Sequence, residues 1–264
     1  MSEPVILDLA PEQAPGFRFW VTTRHGGVSN GPYASLNLSL SVPDDPAAVL
    51  ENRRRVLAAL GLRPDRVVGA EQTHGDGAAV VTAADGGRGV APGLPPVPGV
   101  DALITAEPGL FLFIQVADCY PVAVFDRRRQ VVGLAHCGWR GTLAGLPARL
   151  VRTMADAFGS RPDDLLAVIG PGIGPCCYEV GPDVVEEARL RLPVPEEAVN
   201  LRAGRTYLDL PAAIIQQLRA VGVPENRILS RAACTACNCA TFYSHRASGG
   251  LTGRFWVIAG RPAV

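Results

Sequence analysis

The chain has 264 residues, of which 48% are hydrophobic and 19% are charged, and this length is enough for a substantial buried core. Its 25 basic residues are balanced by 25 acidic ones, so there is no general positive field to collect nucleic acid or an anionic membrane. No apolar run is long enough to span a bilayer, and no signal-like segment stands at the start. Seven cysteines in unlike contexts fit a reducing compartment. We therefore predict a cytoplasmic protein whose thiols are available for a metal or for catalysis.

Apolar, β-prone runs predict a sheet-rich core with helices between some of the strands. The predicted strands are 17–23, 66–70, 78–82, 102–105, 111–117, 122–125, 131–135, 165–169 and 255–259. The predicted helices are 47–60, 142–158, 183–190 and 211–221. Several strands follow one another without an intervening helix, so we predict an α+β fold with layered, mixed β-sheets flanked by helices.

The segment 91–99 is rich in proline and glycine and could be mistaken for a linker between domains. The strand pattern resumes after it with no change in composition, so we predict an exposed loop or flap. We accordingly expect one domain over residues 1–264.

Three residues that can bind metals stand at the ends of predicted strands: His74 in Glu-Gln-Thr-His, Cys119 in Ala-Asp-Cys-Tyr-Pro, and His136 in Ala-His-Cys-Gly-Trp-Arg-Gly. Adjacent strands that end on one edge would bring Cys119 and His136 together. Two imidazoles and one thiolate suit zinc as a catalytic set with an open fourth position. The alternative is that both histidines are hydrogen-bonded structural residues and Cys119 is a buried apolar thiol.

Arg140 stands just before the predicted helix 142–158, where backbone N–H groups, the helix dipole and a guanidinium could converge on a phosphate. The alternative is a capping loop over Trp139, with Arg140 in a surface ion pair. Pro147 either kinks this helix or marks its true start.

Two further segments carry candidate ligands. The first, Thr-Arg-His-Gly-Gly-Val-Ser at 23–29, would let the backbone approach a ligand while Arg24 reaches towards it. Taken alone, the segment favours an ordinary hairpin or loop with an exposed His25.

The second segment, Cys-Thr-Ala-Cys-Asn-Cys at 234–239 followed by His245, could form a second zinc site. Buried or redox-active thiols are the favoured interpretation, because zinc sites usually pair two knuckles across a longer loop. The adjacent Cys176 and Cys177 lie in a loop punctuated by glycine and proline, which we expect to form a pocket wall.

Taken together and in order, these segments resemble the YfiH-type laccase-domain family, described as purine nucleoside phosphorylases and earlier as polyphenol oxidases. The resemblance runs from about the first predicted strand to the last. Its motifs are Thr-Arg-His-Gly-Gly-Val-Ser at 23–29, Ser-Leu-Asn-Leu at 35–38, Glu-Gln-Thr-His at 71–74, Asp-Ala-Leu-Ile-Thr at 101–105, Ala-Asp-Cys-Tyr-Pro at 117–121, Ala-His-Cys-Gly-Trp-Arg-Gly at 135–141, the glycine- and cysteine-rich stretch 169–180, and Phe-Tyr-Ser-His-Arg at 242–246.

The resemblance implies that His74, Cys119 and His136 bind the metal and that mixed sheets pack together between helices. It also implies phosphorolysis of purine nucleosides (adenosine, inosine, guanosine or methylthioadenosine) to the base and ribose 1-phosphate, together with adenosine deamination as an added activity. Two positions depart from the family pattern: Cys137 replaces a frequent alanine and His245 a frequent aromatic residue.

The residues suggest roles within such a reaction. Phosphate would be held by Arg24, Arg140 and Arg246, while Asn37 and Gln72 would orient the nucleoside. Deamination would need a metal-activated water with Asp118 as the proton carrier, although Asp118 could equally orient a metal ligand.

Three other functions stay open at this point. A copper polyphenol oxidase could use the same ligands, but multicopper oxidation needs many more histidines than the four present. An amidase or editing hydrolase could use Cys119 as the nucleophile and His136 as the base. A redox or metal-sensing module could be built on the cysteines near Cys234, without any role for the arginines.

Overall fold

The computed structural model describes residues 3–90 and 93–263. Within these ranges the chain forms thirteen β-strands and six α-helices. The strands are β1 (Ile6–Asp8), β2 (Arg18–Thr22), β3 (Val67–Gly69), β4 (Ala78–Val80), β5 (Ala102–Thr105), β6 (Phe111–Val116), β7 (Tyr120–Asp126), β8 (Val131–Cys137), β9 (Leu165–Ile169), β10 (Val199–Arg202), β11 (Arg205–Leu208), β12 (Ile228–Ser230) and β13 (Phe255–Gly260). The helices are α1 (Pro46–Leu60), α2 (Trp139–Leu143), α3 (Leu146–Phe158), α4 (Pro182–Arg191), α5 (Pro195–Ala198) and α6 (Leu210–Ala220).

Two sheets contain most of the strands. One is five-stranded, in the order β1-β2-β13-β6-β3, and the other is six-stranded, in the order β12-β9-β7-β8-β5-β4. Both are mixed, because β3 runs parallel to β6 in the first and β4 runs parallel to β5 in the second. This architecture confirms the predicted α+β fold with layered mixed sheets.

Alternation along the strands distributes apolar side chains to three buried layers. The layer between the two sheets contains Phe19 and Ile114 of one sheet and Phe125 and Leu134 of the other. Helix α1 covers the outer face of the five-stranded sheet, against the fully buried Trp256. Helices α3 and α6 cover the outer face of the six-stranded sheet. The order of layers is therefore helix, sheet, sheet, helices.

The single helix predicted over 142–158 is two helices, α2 and α3. Gly145 separates them with a left-handed backbone (φ 98°), which glycine adopts without steric penalty. Pro147 lies in the first turn of α3, where its missing N–H costs nothing. Pro147 therefore marks the start of a helix instead of a kink.

Several short elements lie outside the predictions. These are β1, α5, the β10–β11 hairpin and β12. Residues 91 and 92 of the predicted loop lie outside the described residues, and the described remainder is irregular except for a bridge between Val97 and Ala70. None of the helices described combines the length and apolar character that a membrane span requires.

Two chain segments cross from the five-stranded sheet to the six-stranded sheet, and they place the functional residues. Residues 70–77 connect β3 to β4, and residues 117–119 connect β6 to β7. Strand β8 ends beside the start of its antiparallel neighbour β7, since His136 is in register with Pro121. His74, Cys119 and His136 therefore converge at one edge, where the two sheets meet.

Candidate metal centre and adjoining pocket

The ligand atoms of His74, Cys119 and His136 all lie within 4.8 Å of one another. His136 is buried, Cys119 is half-buried and His74 is exposed. The two imidazole rings meet edge to face with their centroids 4.9 Å apart. A half-buried thiol flanked by two imidazoles, with one side open to solvent, is the donor set of a three-ligand zinc site that keeps an accessible position.

A fully buried carboxylate, Asp101, organises this cluster. Its Oδ1 accepts hydrogen bonds from the ring Nδ1–H of His136 (2.8 Å) and the backbone N–H of His74 (3.0 Å). Its Oδ2 accepts from the backbone N–H of Gly75 (2.8 Å) and the hydroxyl of Thr73 (3.0 Å). The bond to Nδ1 leaves Nε2 of His136 as the nitrogen for a metal, which is how orienting carboxylates act around metal-bound histidines.

The charges in the cluster support one another. Burial raises the pKa of Cys119, but the positive charge of His136 and hydrogen bonds from both histidines outweigh it and lower that pKa to about 6. Burial lowers the pKa of His136, but the Cys119 thiolate and Asp101 outweigh it and raise that pKa to about 9. Burial also opposes ionisation of Asp101, yet its bonds to His136 and Gly75 hold the pKa of this carboxyl below its usual value. The site therefore favours the thiolate, the form that binds metals.

Gly138 leaves room for the cluster. A Cβ atom on this residue would lie 3.0 Å from Cys119 Sγ and at an ordinary contact distance of 3.5 Å from His74 Cδ2, so a side chain here would press on the Cys119 ligand. The absence of a side chain at 138 therefore fits a bound ion.

The backbone around the cluster adopts left-handed conformations that residues other than glycine rarely adopt. Gln72 (φ 65°), His74 (φ 62°) and Asp118 (φ 94°) are three of the five such residues in the described part of the chain. Strain of this kind persists where the surroundings enforce it and often marks functional sites.

A cavity of about 500 Å³ opens onto the cluster, within the size range of pockets for small organic ligands. Its walls combine aromatic, cationic and hydroxyl side chains around the two sheet crossings. They include Ser39, Ser41, Glu71, Gln72, Gln115, Asp118, Trp139, Arg140, Ile173, Tyr178, Leu210, His245, Arg246 and Arg254, with the three cluster residues at one side.

Two residues predicted to contact substrate lie outside this lining. Arg24 donates to the carbonyl oxygens of Ala34 (3.0 and 3.1 Å) and Cys239 (2.7 Å) and stacks on Tyr243. Asn37 is fully buried; its side chain donates to the Asp44 carboxylate and accepts from the backbone N–H of Arg254. Both side chains hold loops together behind the pocket.

The other predicted substrate residues do line the cavity. Arg140 is exposed and stacks on Trp139, with its guanidinium carbon 4.3 Å from the ring centroid. Arg246 is exposed and donates to the carbonyl oxygen of Glu179 (2.8 Å). The side-chain amide of Gln72 makes two hydrogen bonds with the backbone of Gln115.

Asp118 also lines the cavity, but both of its carboxylate oxygens have partners. One accepts from the hydroxyl of Thr235 (2.6 Å) and the other from the backbone N–H of Arg246 (2.7 Å). Asp118 therefore ties the segment that carries Cys119 to the C-terminal loop.

No role in metal or substrate binding was predicted from the sequence for Asp101, Arg254 or Tyr178. Asp101 directly precedes β5, which pairs with β8 so that it reaches His136; the sequence signals were its position before a strand and its place in the motif 101–105. Arg254 and Tyr178 line the cavity because two loops that are distant in sequence fold over the same sheet edge.

The layered α+β fold carries a His-Cys-His cluster at the junction of its two sheets, so this protein is of the class of α+β proteins with a candidate metal centre. The family model described as multi-copper polyphenol oxidoreductase laccase matches residues 18–261. The chain therefore belongs to this family.

Relatives over nearly the whole chain carry a more specific name. The purine nucleoside phosphorylase YlmD of Geobacillus stearothermophilus is 43% identical over 244 residues, covering 91% of this chain and 89% of the relative. A purine nucleoside phosphorylase of Deinococcus radiodurans is also 43% identical, over 241 residues, covering 91% of this chain and 88% of the relative.

Solved structures agree with the fold. The crystal structure of YlmD from Geobacillus stearothermophilus matches with a TM-score of 0.91 at 41% identity, covering 96% of this chain and 94% of that one. A Bacillus licheniformis hypothetical protein, YfiH, also matches with a TM-score of 0.91, at 36% identity and with 96% of both chains covered.

Proposed function

We propose that this protein is a metal-dependent purine nucleoside phosphorylase that converts adenosine, inosine, guanosine or methylthioadenosine, with phosphate, to the base and ribose 1-phosphate. The relatives named purine nucleoside phosphorylase support the reaction. The observation that carries the proposal is one cavity that combines the His-Cys-His cluster with three guanidinium groups, those of Arg140, Arg246 and Arg254.

The guanidinium groups supply the phosphate subsite. Arg140 and Arg246 are exposed residues of the cavity lining, and Arg254 is a half-buried one. Arg254 uses Nη1 to donate to the carbonyl oxygens of Thr252 and Gly253, and its other guanidinium nitrogens would face phosphate. Guanidinium binds phosphate through paired, charge-assisted hydrogen bonds. Three such groups at one cavity can hold a phosphate dianion and present one of its oxygens to the sugar.

Aromatic and hydroxyl side chains supply the nucleoside subsite. Trp139 and Tyr178 are half-buried in the cavity wall and offer faces on which a purine can stack. Ser39 and Ser41 lie in the same lining and can exchange hydrogen bonds with ribose hydroxyls. Arg140 lies over the Trp139 ring and Arg246 over the Tyr178 ring, so the nucleoside and phosphate subsites would adjoin one another.

In the reaction a phosphate oxygen forms a bond to C1′ as the C1′–N9 bond breaks, and the bonding pair leaves with the base, which then takes up a proton. A zinc ion held by His74, Cys119 and His136 would supply Lewis-acid stabilisation of developing negative charge. The chain itself contributes alignment of the two substrates, which makes the step between them effectively unimolecular.

The hydrogen bonds of Asp118 favour phosphorolysis over adenosine deamination with Asp118 as the proton carrier. Deamination of adenosine needs a carboxylate that shuttles protons next to the metal. The described cavity lining contains two carboxylates, Glu71 and Asp118, and both oxygens of Asp118 already accept hydrogen bonds. We therefore assign Asp118 a positioning role and treat deamination as a secondary activity to be measured.

Zinc is the metal we propose. The described residues contain two groups of potential ligands, and only one of them includes histidine. A multicopper site needs several histidine-rich centres, whereas one open three-ligand set suits zinc.

The experiment is an assay of inosine with and without phosphate. We expect hypoxanthine and ribose 1-phosphate in equal amounts, and no base release when phosphate is omitted. Base release that is independent of phosphate would reject the proposal in favour of a hydrolase. A parallel incubation of adenosine without phosphate measures deamination as the appearance of inosine.

A further inference from the structure

Four cysteines from two distant loops come together away from the cavity. The ligand atoms of this second cluster lie within 4.8 Å of one another. Cys237 Sγ lies 3.5 Å from Cys176 Sγ and 3.4 Å from Cys177 Sγ. Cys234 is the fourth member.

These separations match thiolates around one ion better than disulfides. Zinc–sulfur bonds of about 2.3 Å in a tetrahedron place neighbouring sulfurs about 3.8 Å apart, whereas bonded sulfurs lie about 2 Å apart. All seven cysteines of the chain are free. The second cluster therefore has the spacing of a four-thiolate cage.

The two loops are built to hold this spacing. Asn238 fixes the turn between Cys234 and Cys237, since its backbone and side-chain N–H groups both donate to the carbonyl oxygen of Cys234. Gly174 allows the close approach of the other loop, because a Cβ there would lie 3.1 Å from Cys234 Cβ and 3.2 Å from Cys176 Sγ.

We propose a second zinc site, structural in kind, whose four thiolate ligands are Cys176, Cys177, Cys234 and Cys237. Four protein ligands fill the tetrahedron and leave no position for substrate, which is the property of structural sites. Four Zn–S bonds form and the thiol protons pass to solvent, so binding strengthens as pH rises. The membership differs from the cluster considered from sequence, since Cys239 and His245 are not part of it.

The site has a consequence for the cavity. One of its loops also carries the lining residues Ile173 and Tyr178, and the other carries His245 and Arg246. The loops are joined by a parallel bridge between Gly172 and Cys234. A zinc ion at the second cluster would clamp these two cavity walls together.

The inference does not depend on phosphorolysis, and metal content tests it directly. Protein expressed with zinc and purified without chelator should contain about two zinc ions per chain, one for each kind of site. Cys237→Ser should retain about one, and so should His74→Ala, which leaves the thiolate cage intact. Cys239→Ser is the matched control and should retain about two.

A second measurement covers the case in which Cys237→Ser fails to fold. In the wild-type protein, alkylation before and after zinc chelation should show Cys176, Cys177, Cys234 and Cys237 protected only while the metal is bound, and Cys239 reactive throughout. The same zinc content in Cys237→Ser as in the wild type, full reactivity of the four thiols in the zinc-loaded protein, or a disulfide between the two loops would each overturn the proposal.

Discussion

Asp101 and His136 form two hydrogen bonds with each other, one through the backbone and one through the side chains. The backbone N–H of His136 donates to the carbonyl oxygen of Asp101 at 2.8 Å, and its ring Nδ1 lies 2.8 Å from Asp101 Oδ1. The first bond sets the register of β5 against β8, and the second sets the orientation of the imidazole. The fold and the metal centre are thus coupled through one residue pair.

This pair gives a first prediction. Asp101→Asn preserves the size of the side chain but removes its negative charge, so His136 loses its orienting partner. We expect metal affinity to fall roughly 10–100-fold, measured by competition with a chromophoric chelator. Asp76→Asn is the control, because Asp76 forms an exposed ion pair with Arg149 and such pairs contribute little. Equal affinity of the two variants would show that Asp101 has no orienting role.

Gly138 gives a second prediction. Gly138→Ala places a methyl group 3.0 Å from Cys119 Sγ, and we expect weaker metal binding because the Cys119 ligand must shift. Gly75→Ala is a matched control, since its Cβ would lie 3.4 Å from Thr73 Oγ1, an ordinary contact distance. If both variants bind metal as the wild type does, the steric role of residue 138 is refuted.

The acidity of Cys119 gives a third prediction. Its pKa is lowered to about 6 from an ordinary thiol value near 8.5, so the thiolate predominates above pH 6 in metal-free protein. Alkylation of Cys119, followed by peptide mass spectrometry, should reach half its maximal rate near pH 6, and zinc should suppress it.

Two outcomes would count against this description of Cys119. A midpoint near pH 8.5 would contradict the ion pair with His136. Catalytic activity that survives metal removal and is lost on adding zinc would instead favour a cysteine hydrolase.

Arg140 gives a fourth prediction. Arg140→Gln removes an exposed cation from the cavity without breaking a hydrogen bond that holds the fold. Loss of a charge-assisted hydrogen bond to phosphate should raise the KM for phosphate roughly tenfold or more, with little change in the KM for inosine. Arg149→Gln, on the surface, should leave both values unchanged. An equal rise in both KM values would place Arg140 outside the phosphate subsite.

Much of the fold could be predicted from sequence because the inner strands are long and strongly apolar. Strands β5 and β9 have the predicted boundaries, and β6 and β13 differ from prediction by one residue. The β10–β11 hairpin was missed because its residues are mostly exposed or half-buried, so no apolar run marks it. Short, solvent-facing strands show little hydrophobic periodicity in their sequence, so they are hard to predict.

The proximity of Cys119 and His136 was predicted from the ends of adjacent strands, and the family resemblance added His74 to them. The sequence could not predict which side chains from distant segments lie close together in the folded chain. Arg24 was predicted to contact phosphate, but all three nitrogens of its guanidinium donate to the carbonyl oxygens of Ala34 and Cys239, and it lies outside the cavity lining. Cys176 and Cys237 are 61 residues apart, and only the folding of two loops over one sheet edge brings them together.

The central claim is that the His74, Cys119 and His136 cluster drives phosphorolysis, and one comparison tests it most directly. Hypoxanthine release from inosine and phosphate is measured for the wild type, His74→Ala and His25→Ala, with His25 chosen because it is exposed outside the cavity lining. We expect His25→Ala to release hypoxanthine at the rate of the wild type and His74→Ala to lose phosphate-dependent release. Wild-type activity in a folded His74→Ala protein would contradict the central claim.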